Sequence, residues 1–330
     1  MPETRLRQPR SRMGVIAGVT ALTVGALTAL QSRVNGELAD MTDSGLQAAL
    51  VSFGSGWILL SVILLATPSV RRGLADVGHA VRVGTLRWWQ VLGGLLGGFF
   101  VAVQSATVPV VGVAIFTVAV VAGQVSNSLV VDRVGLGPAG RQSVTPTRVI
   151  AAILALAAVA VAVSDRFDGA AEGSLLAVAA ALVAGLAIAV QQAINGRVGA
   201  AARNAWTAAW VNFTLGTVML SVALGLAWGL TEFDPGALPT GPWWVYIGGS
   251  IGVLFIAAAA WVVQRLGVLL FALLAITGQL IGALVLDWLL PADGVYVHLT
   301  LVLGVALAGI AVAVGSASSW GPRRDRPRPH

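Results

Sequence analysis

The sequence predicts an all-α polytopic membrane protein, with ten transmembrane helices arranged as two inverted five-helix repeats. Three observations carry this expectation. Of 330 residues, 57% are hydrophobic and only 10% charged, against about 25% charged in a typical globular chain. The apolar residues gather into runs long enough to cross a bilayer, and mean hydropathy is +0.87. The runs of the second half repeat landmarks of the first at a near-constant offset.

A hydrocarbon core of roughly 30 Å needs about 20 apolar residues in a helix. Ten stretches qualify: 14–34, 46–66, 88–108, 113–131 and a short fifth at 149–164, then 174–195, 206–229, 243–263, 267–288 and 297–317. Membrane barrels alternate polar and apolar residues in segments of about ten, whereas these runs are apolar all round. Many of the 40 glycines lie inside them, where small residues let helices approach closely. Arg5, Arg7, Arg10 and Arg12 before the first run resemble a secretory signal, but the run exceeds the about 7–15 residues of a signal's apolar core. Its far end also recurs later in the chain, so the first helix is expected to be retained. The expected domains are a basic tail at 1–12, a first repeat at 13–165, an external linker at 166–173, a second repeat at 174–317 and a basic tail at 318–330. Both tails are too poor in apolar residues to fold.

All 20 basic residues are arginine. With ten spans, 18 of them share the side of the two termini and only Arg33 and Arg166 fall on the other. Cytoplasmic loops carry the basic excess, so both termini are expected inside. The acidic residues lean outward, Glu37, Asp40, Asp43, Asp165 and Asp168 among them. Net charge +6 and a pI near 11.3 are thus a topology signal. A nucleic-acid surface needs its arginines clustered on one folded face, so no nucleic-acid partner is expected. The expected partners are the lipid bilayer and a small molecule of unknown identity, and a homodimer is compatible with the sequence. With no cysteine, disulfides, thiolate metal sites and cysteine nucleophiles are excluded.

The repeat is read from aligned landmarks. ALQSRVNG at 29–36 matches AVQQAING at 189–196, an offset of 160. The same offset pairs Ala48, Ala49, Phe53 and Gly56 with Ala208, Ala209, Phe213 and Gly216. At an offset of 155, Trp88-Trp89, Gly93-Gly94 and Gly97 pair with Trp243-Trp244, Gly248-Gly249 and Gly252. Gly112, Phe116, Gly123-Gln124 and Asp132 then pair with Gly267, Phe271, Gly278-Gln279 and Asp287. Five helices per half is an odd number, so the halves cross the membrane in opposite senses, an arrangement common in secondary transporters.

The Q-x-x-x-N-G, A-A-x-x-x-F-x-x-G, G-G-x-x-G and G-Q-x(7)-D elements resemble the YdcZ-like family of inner-membrane exporters, within the drug/metabolite transporter superfamily. The resemblance covers about residues 13–317 and is to a fused tandem pair of five-span units. It implies a ten-helix bundle carrying a solute across the inner membrane, most members having no assigned substrate. One departure is Gln264, where the first repeat has Pro109.

Polar side chains inside hydrocarbon are costly and often mark a pathway. Gln124 and Gln279 are the leading candidates for substrate contact, each near the middle of its span and each after a glycine. Gln31 with Asn35 and Gln191 with Asn195 are i, i+4 pairs sharing a helix face. The glutamines are further substrate candidates and the asparagines candidates for a gate or vestibule. Alternatively each Asn-Gly simply stops its helix. Asn127, Asn212 and Gln104 have no polar mate in the other half, and the first two join the substrate candidates. Asp132 and Asp287 end their spans and are candidates for a gate. Phe53, Phe213, Trp210 and Trp261 are read as packing before pocket walls. The fifth and tenth helices are expected to be scaffold.

No carboxylate lies near a helix centre, and His79, His298 and His330 fall in loops, at a helix mouth or in a tail. A strongly proton-coupled multidrug antiporter is therefore disfavoured. No P-loop or H-E-x-x-H element occurs, and no metal or cofactor is expected. The leading function is a secondary-type transporter of a small polar or amphipathic metabolite working by alternating access, with export implied by the resemblance. The alternatives are a non-transporting scaffold or partner subunit, and a membrane-embedded enzyme. The enzyme is less favoured because amides are poor acids and bases, and no catalytic residue is assigned.

Overall fold

The computed structural model describes residues 10–138, 140–162, 164, 172–231, 234, 236, 240–266, 268–291 and 296–317. Its regular elements are helices, with no strand among the described residues. In order they are α1 (Arg10–Thr42), α2 (Gly45–Ala66), α3 (Pro68–Arg82), α4 (Gly93–Val134), α5 (Pro146–Ala162), α6 (Glu172–Ala202), α7 (Ala205–Leu230), α8 (Gly248–Leu266), α9 (Val268–Leu289) and α10 (Leu299–Ala317). Short 3-10 turns at Trp88–Leu92 and Trp243–Tyr246 lead into α4 and α8. Trp88 and Trp243 stand on the outer surface of the bundle, where indoles suit a membrane interface.

Among the described residues, six helical segments are long and apolar enough to cross a membrane, and α5 and α10 with the first part of α8 are shorter apolar segments. One of the six, Trp88–Val134, has 47 residues, far more than one crossing needs. It breaks at Gly112, whose φ of 82° and ψ of 165° suit only glycine. The third and fourth runs of the sequence are thus one interrupted helix rather than two separated by a loop. In the second half, α8 runs to Leu266 and α9 from Val268; the aligned Gly267 lies outside the described residues.

One expectation is corrected here, and residues 67–87 do not form a plain loop: Pro68 at N1 starts α3, which buries Val70, Gly73 and Val77 and exposes Arg71, Arg72 and Arg82. The spacing of the buried residues is helical, and the charged face keeps the element at the surface. Nor does Asn-Gly end a helix. α1 continues through Asn35-Gly36 to Thr42, and α6 through Asn195-Gly196 to Ala202. At about 1.5 Å per residue, the 33 residues of α1 span about 50 Å, more than the roughly 30 Å hydrocarbon core.

The halves interlock reciprocally. α1 packs on α8 and α9, while α6 packs on α4; α2 packs on α7 and α5 on α10. Turns at equivalent places agree in detail. Asp43 and Arg203 both take positive φ, 49° and 50°, and the following Ser44 and Asn204 cap α2 and α7 through their side chains. Helix crossings are set by glycines. A Cβ on Gly25 would lie 1.9 Å from the Ala275 carbonyl oxygen, and one on Gly185 2.2 Å from that of Val120. Gly278 and Gly123 face Leu22 and Leu182 equally closely. Phe53 and Phe213 stack between α2 and α7 with centroids 4.8 Å apart.

Candidate functional site

A cavity of about 550 Å³ lies between the halves, walled by α1, α2, α4, α6, α7, α8 and α9. Four amides at paired positions reach its lining: Gln31 and Gln191, Gln124 and Gln279. Asn212, Gln104, Asn195 and Gln192 add further polar groups, and Phe53, Phe213, Phe100, Phe255 and Phe271 supply aromatic wall. Among the described lining residues none carries a titratable side chain.

Gln31, Asn35, Gln191 and Asn195 each pack against glycines of the facing helices. The Gly-Gly-x-x-Gly turn of α4 seats α6: Cβ atoms on Gly93 and Gly97 would meet Asn195 Oδ1 and Gln191 Nε2 at 2.3 Å. The matching turn of α8 seats α1, with Gly248 2.2 Å from Asn35 Oδ1 and Gly252 3.3 Å from Gln31 Nε2 by the same measure. Side chains at these glycines would fill the space the amides occupy, which explains why the two motifs recur together.

The residues without mates are the partners that complete each amide set. Asn212 Oδ1 accepts from Gln191 Nε2 and from Asn195 Nδ2, both at 2.9 Å. Asn35 Nδ2 donates to Gln104 Oε1 at 2.8 Å, and Gln104 Nε2 donates to Ser32 Oγ at 2.8 Å. Gln124 Nε2 donates to Gln192 Oε1 at 2.9 Å. Gln31 and Gln279 make no side-chain hydrogen bond among the described residues, leaving both amides to face the cavity uncommitted. Gln192 stands beside Gln191 in the sequence, and Phe100 and Phe255 are themselves an offset-155 pair. Those signals are present in the chain, but which face they join depends on helix rotation.

Other candidates lie elsewhere. Asn127 is not on the cavity wall; its Nδ2 donates to the Leu186 carbonyl at 2.7 Å, bridging α4 and α6. Its counterpart Gly282 packs on Ala26, so a glycine contact has become an amide bridge. Asn35 is also outside the cavity and 1% exposed. Asp132 pairs with Arg148. Asp287, at 1% exposure, is a buried helix cap rather than an interface residue. Its two oxygens accept from Val113 N at 2.9 Å and Ala114 N at 2.7 Å, just after the Gly112 break. Trp210 Nε1 donates to Ser61 Oγ at 3.0 Å, tying α7 to α2. The side chain of Gln264 lies outside the described residues.

Several equivalent positions differ in exposure. Ser32 is fully buried and its equivalent Gln192 exposed. Ala48 is fully buried, whereas Ala208 lines the cavity. Phe116 is fully buried in the core, whereas Phe271 lines the cavity. The cavity wall reaches the α6–α7 turn through Ala205 and Ala208, whose equivalents Gly45 and Ala48 at the α1–α2 turn do not line it. The end holding the α1–α2 turn and the Gly112 break is packed shut.

The chain matches the family described as "Putative inner membrane exporter, YdcZ" over residues 16–161 and again over 176–314. It belongs to the YdcZ family. The double match makes it a tandem two-repeat member, a multi-pass membrane protein of an exporter family of the drug/metabolite transporter type. No curated protein matches. A solved chain described as "Crystal structure of protein" shares the fold, with a TM-score of 0.56 and 20% identity over 93% of this chain and 97% of the other.

Proposed function

We propose that this YdcZ-family chain is a secondary transporter that moves a small neutral solute, polar or amphipathic, across the inner membrane by alternating access. In this reading the chain crosses the membrane ten times, with the Trp88–Val134 helix counted twice at its Gly112 break and α3 lying on the surface. The halves are inverted and both termini cytoplasmic. The open end of the cavity then faces the cytoplasm, which is the loading state of an exporter.

The observation that carries this reading is the shared cavity, lined by equivalent amides from both halves and reaching the α6–α7 turn but not the α1–α2 turn. Inverted repeats place a solute site at the repeat interface, where exchanging the two halves' conformations moves access from one face to the other. The lining selects solute chemistry. A net charge there would be desolvated with no counter-charge, whereas a neutral solute can bond Gln31 and Gln279 and lay its apolar part on the phenylalanines. A fully packed centre would have favoured a scaffold.

An untargeted metabolite comparison of cells and medium, with and without the protein, tests transport and identifies the solute. A neutral species is expected to accumulate outside, and unchanged profiles in both compartments would reject the proposal. Orientation is tested separately with cysteines at Ser11, in the first turn of α1, and at Gly169, outside the described residues. Impermeant reagent should label them from opposite sides of intact cells, and same-side labelling would end the inverted arrangement.

A further inference from the structure

The two ends of the bundle hold the same acidic residue in two different arrangements. At the closed end, Asp287 of α9 caps α4 immediately after its break, through Val113 N and Ala114 N. Around it Leu280 and Ala283 of α9 pack with Val113, Ala114 and Phe116 in the main core. The repeat offset of 155 carries Asp287 onto Asp132, and Val113 and Ala114 onto Val268 and Leu269, the first residues of α9.

Yet at the open end Asp132 is one-third exposed and paired with Arg148. It sits at the rim of a second cavity of about 430 Å³ between α4, α5, α9 and α10. Val125 and Ser128, the equivalents of the packed Leu280 and Ala283, line that cavity together with Ile276. So α4 and α9 are pinched where the cap is made and splayed where it is not.

We propose that Asp132 and Asp287 are paired latches that close opposite ends of the bundle in turn. Asp287 holds α4 at Val113 and Ala114 in the state described. In the opposite-facing state Asp132 leaves Arg148 and caps α9 at Val268 and Leu269, while Asp287 releases α4. The inference rests on the alternating-access reading and deepens it by naming the bonds exchanged. A carboxylate accepting backbone N–H groups at a helix start makes charge-assisted bonds, stronger than neutral ones, and the N-terminal dipole adds to them. Such a bond is strong enough to hold one state and, being matched at the other end, does not forbid exchange. Arg148 is then the competitor that keeps Asp132 off α9.

The test uses the full chain, which has no cysteine, carrying either Ala48→Cys at the closed end or Ala208→Cys at the open end. Maleimide labelling rates are measured on purified protein in nanodiscs, so sidedness does not enter. With no other change, A208C is expected to label at least about tenfold faster than A48C, as its exposure predicts. Asp287→Asn should raise the A48C rate and lower the A208C rate, shifting their ratio by about tenfold. Arg148→Gln, by freeing Asp132, should shift the ratio in the same direction. Asp132→Asn should shift it in the opposite direction or leave A48C fully protected. A residue that merely supports the fold would raise both rates together. Unchanged ratios, or a joint rise, in Arg148→Gln overturn the latch even if Asp287→Asn fails to fold. The outcomes also separate the two readings. A shifted ratio with no solute moved would reject transport alone, and measured transport with an unshifted ratio would reject the latch alone.

Discussion

The two ends of the bundle are built from equivalent residues and yet differ in state. Ser32, Asn35, Ala48 and Phe116 are buried at one end; Gln192, Asn195, Ala208 and Phe271 line the cavity at the other. The crossings between α1 and α9 and between α6 and α4 are the same in both halves, glycine on backbone at about van der Waals limits or closer for any added side chain. The difference between the ends lies beyond these shared crossings, which would serve as fulcra if the halves rock as proposed. Close-packed interfaces tend to be bistable rather than continuously deformable, so a chain with rigid glycine crossings and one open end has the parts of a rocker.

The largest expected effect comes from spoiling a fulcrum. Gly25→Ala and Gly185→Ala each push a methyl carbon into a carbonyl oxygen of the facing helix. Overpacking of this kind costs about 1–3 kcal/mol or more. Both variants should melt earlier in detergent, and by similar amounts, while Gly54→Ala, with nothing within 4 Å, should not. Unequal losses at Gly25 and Gly185 would break the equivalence of the crossings.

A middle-sized effect should separate the ends. Gln104→Leu strands buried Asn35 Nδ2 at the packed end, while Ser32 Oγ keeps its bond to the Thr28 carbonyl, and an unmet buried polar group costs about 1–3 kcal/mol. Asn212→Leu removes the acceptor of Gln191 and Asn195, but Asn195 borders the open cavity, so water can replace part of what is lost. Thermal unfolding should place Gln104→Leu below Asn212→Leu, and the reverse order would contradict the assignment of closed and open ends.

The smallest effect on stability is expected for Gln124→Leu and Gln279→Leu. A polar contact between membrane helices contributes only about 0.6 kcal/mol on average, and Gln279 makes none among the described residues. Solute affinity should nevertheless fall roughly 5- to 150-fold, the equivalent of losing about 1–3 kcal/mol. Normal transport with earlier melting would reassign these glutamines to packing.

Much of this arrangement is legible in the amino-acid sequence. Gln31, Gln191, Gln124 and Gln279 stand out because a duplicated polar residue in an apolar run has a stated cost and a stated twin. Asn212 stands out as an oddity, but its role as the acceptor for Gln191 and Asn195 requires the geometry of α6 against α7. The helical spacing of Val70, Gly73 and Val77 in α3 is present in the sequence, but α3 is too polar to register as a span. Asn35-Gly36 misleads because its local chemistry is that of a helix stop, whereas Gly248 and Gln104, distant in sequence, provide a buried place for the amide. Asp287 is legible as a helix-end residue only; that it serves a different helix depends on α9 lying across the Gly112 break.

α3 has no helical counterpart among the described residues of the second half. It seats Gly73 on Thr207, whose hydroxyl donates to the Val70 carbonyl at 3.0 Å, and Asp76 pairs with the exposed Arg203. These contacts brace the α6–α7 turn, and no such helix braces the α1–α2 turn. Two identical halves would make the facing states degenerate, their populations equal by symmetry alone. Under the alternating-access proposal, a fused chain with a splint on one turn lifts that degeneracy and gains a resting orientation, which a pair of identical subunits could not have.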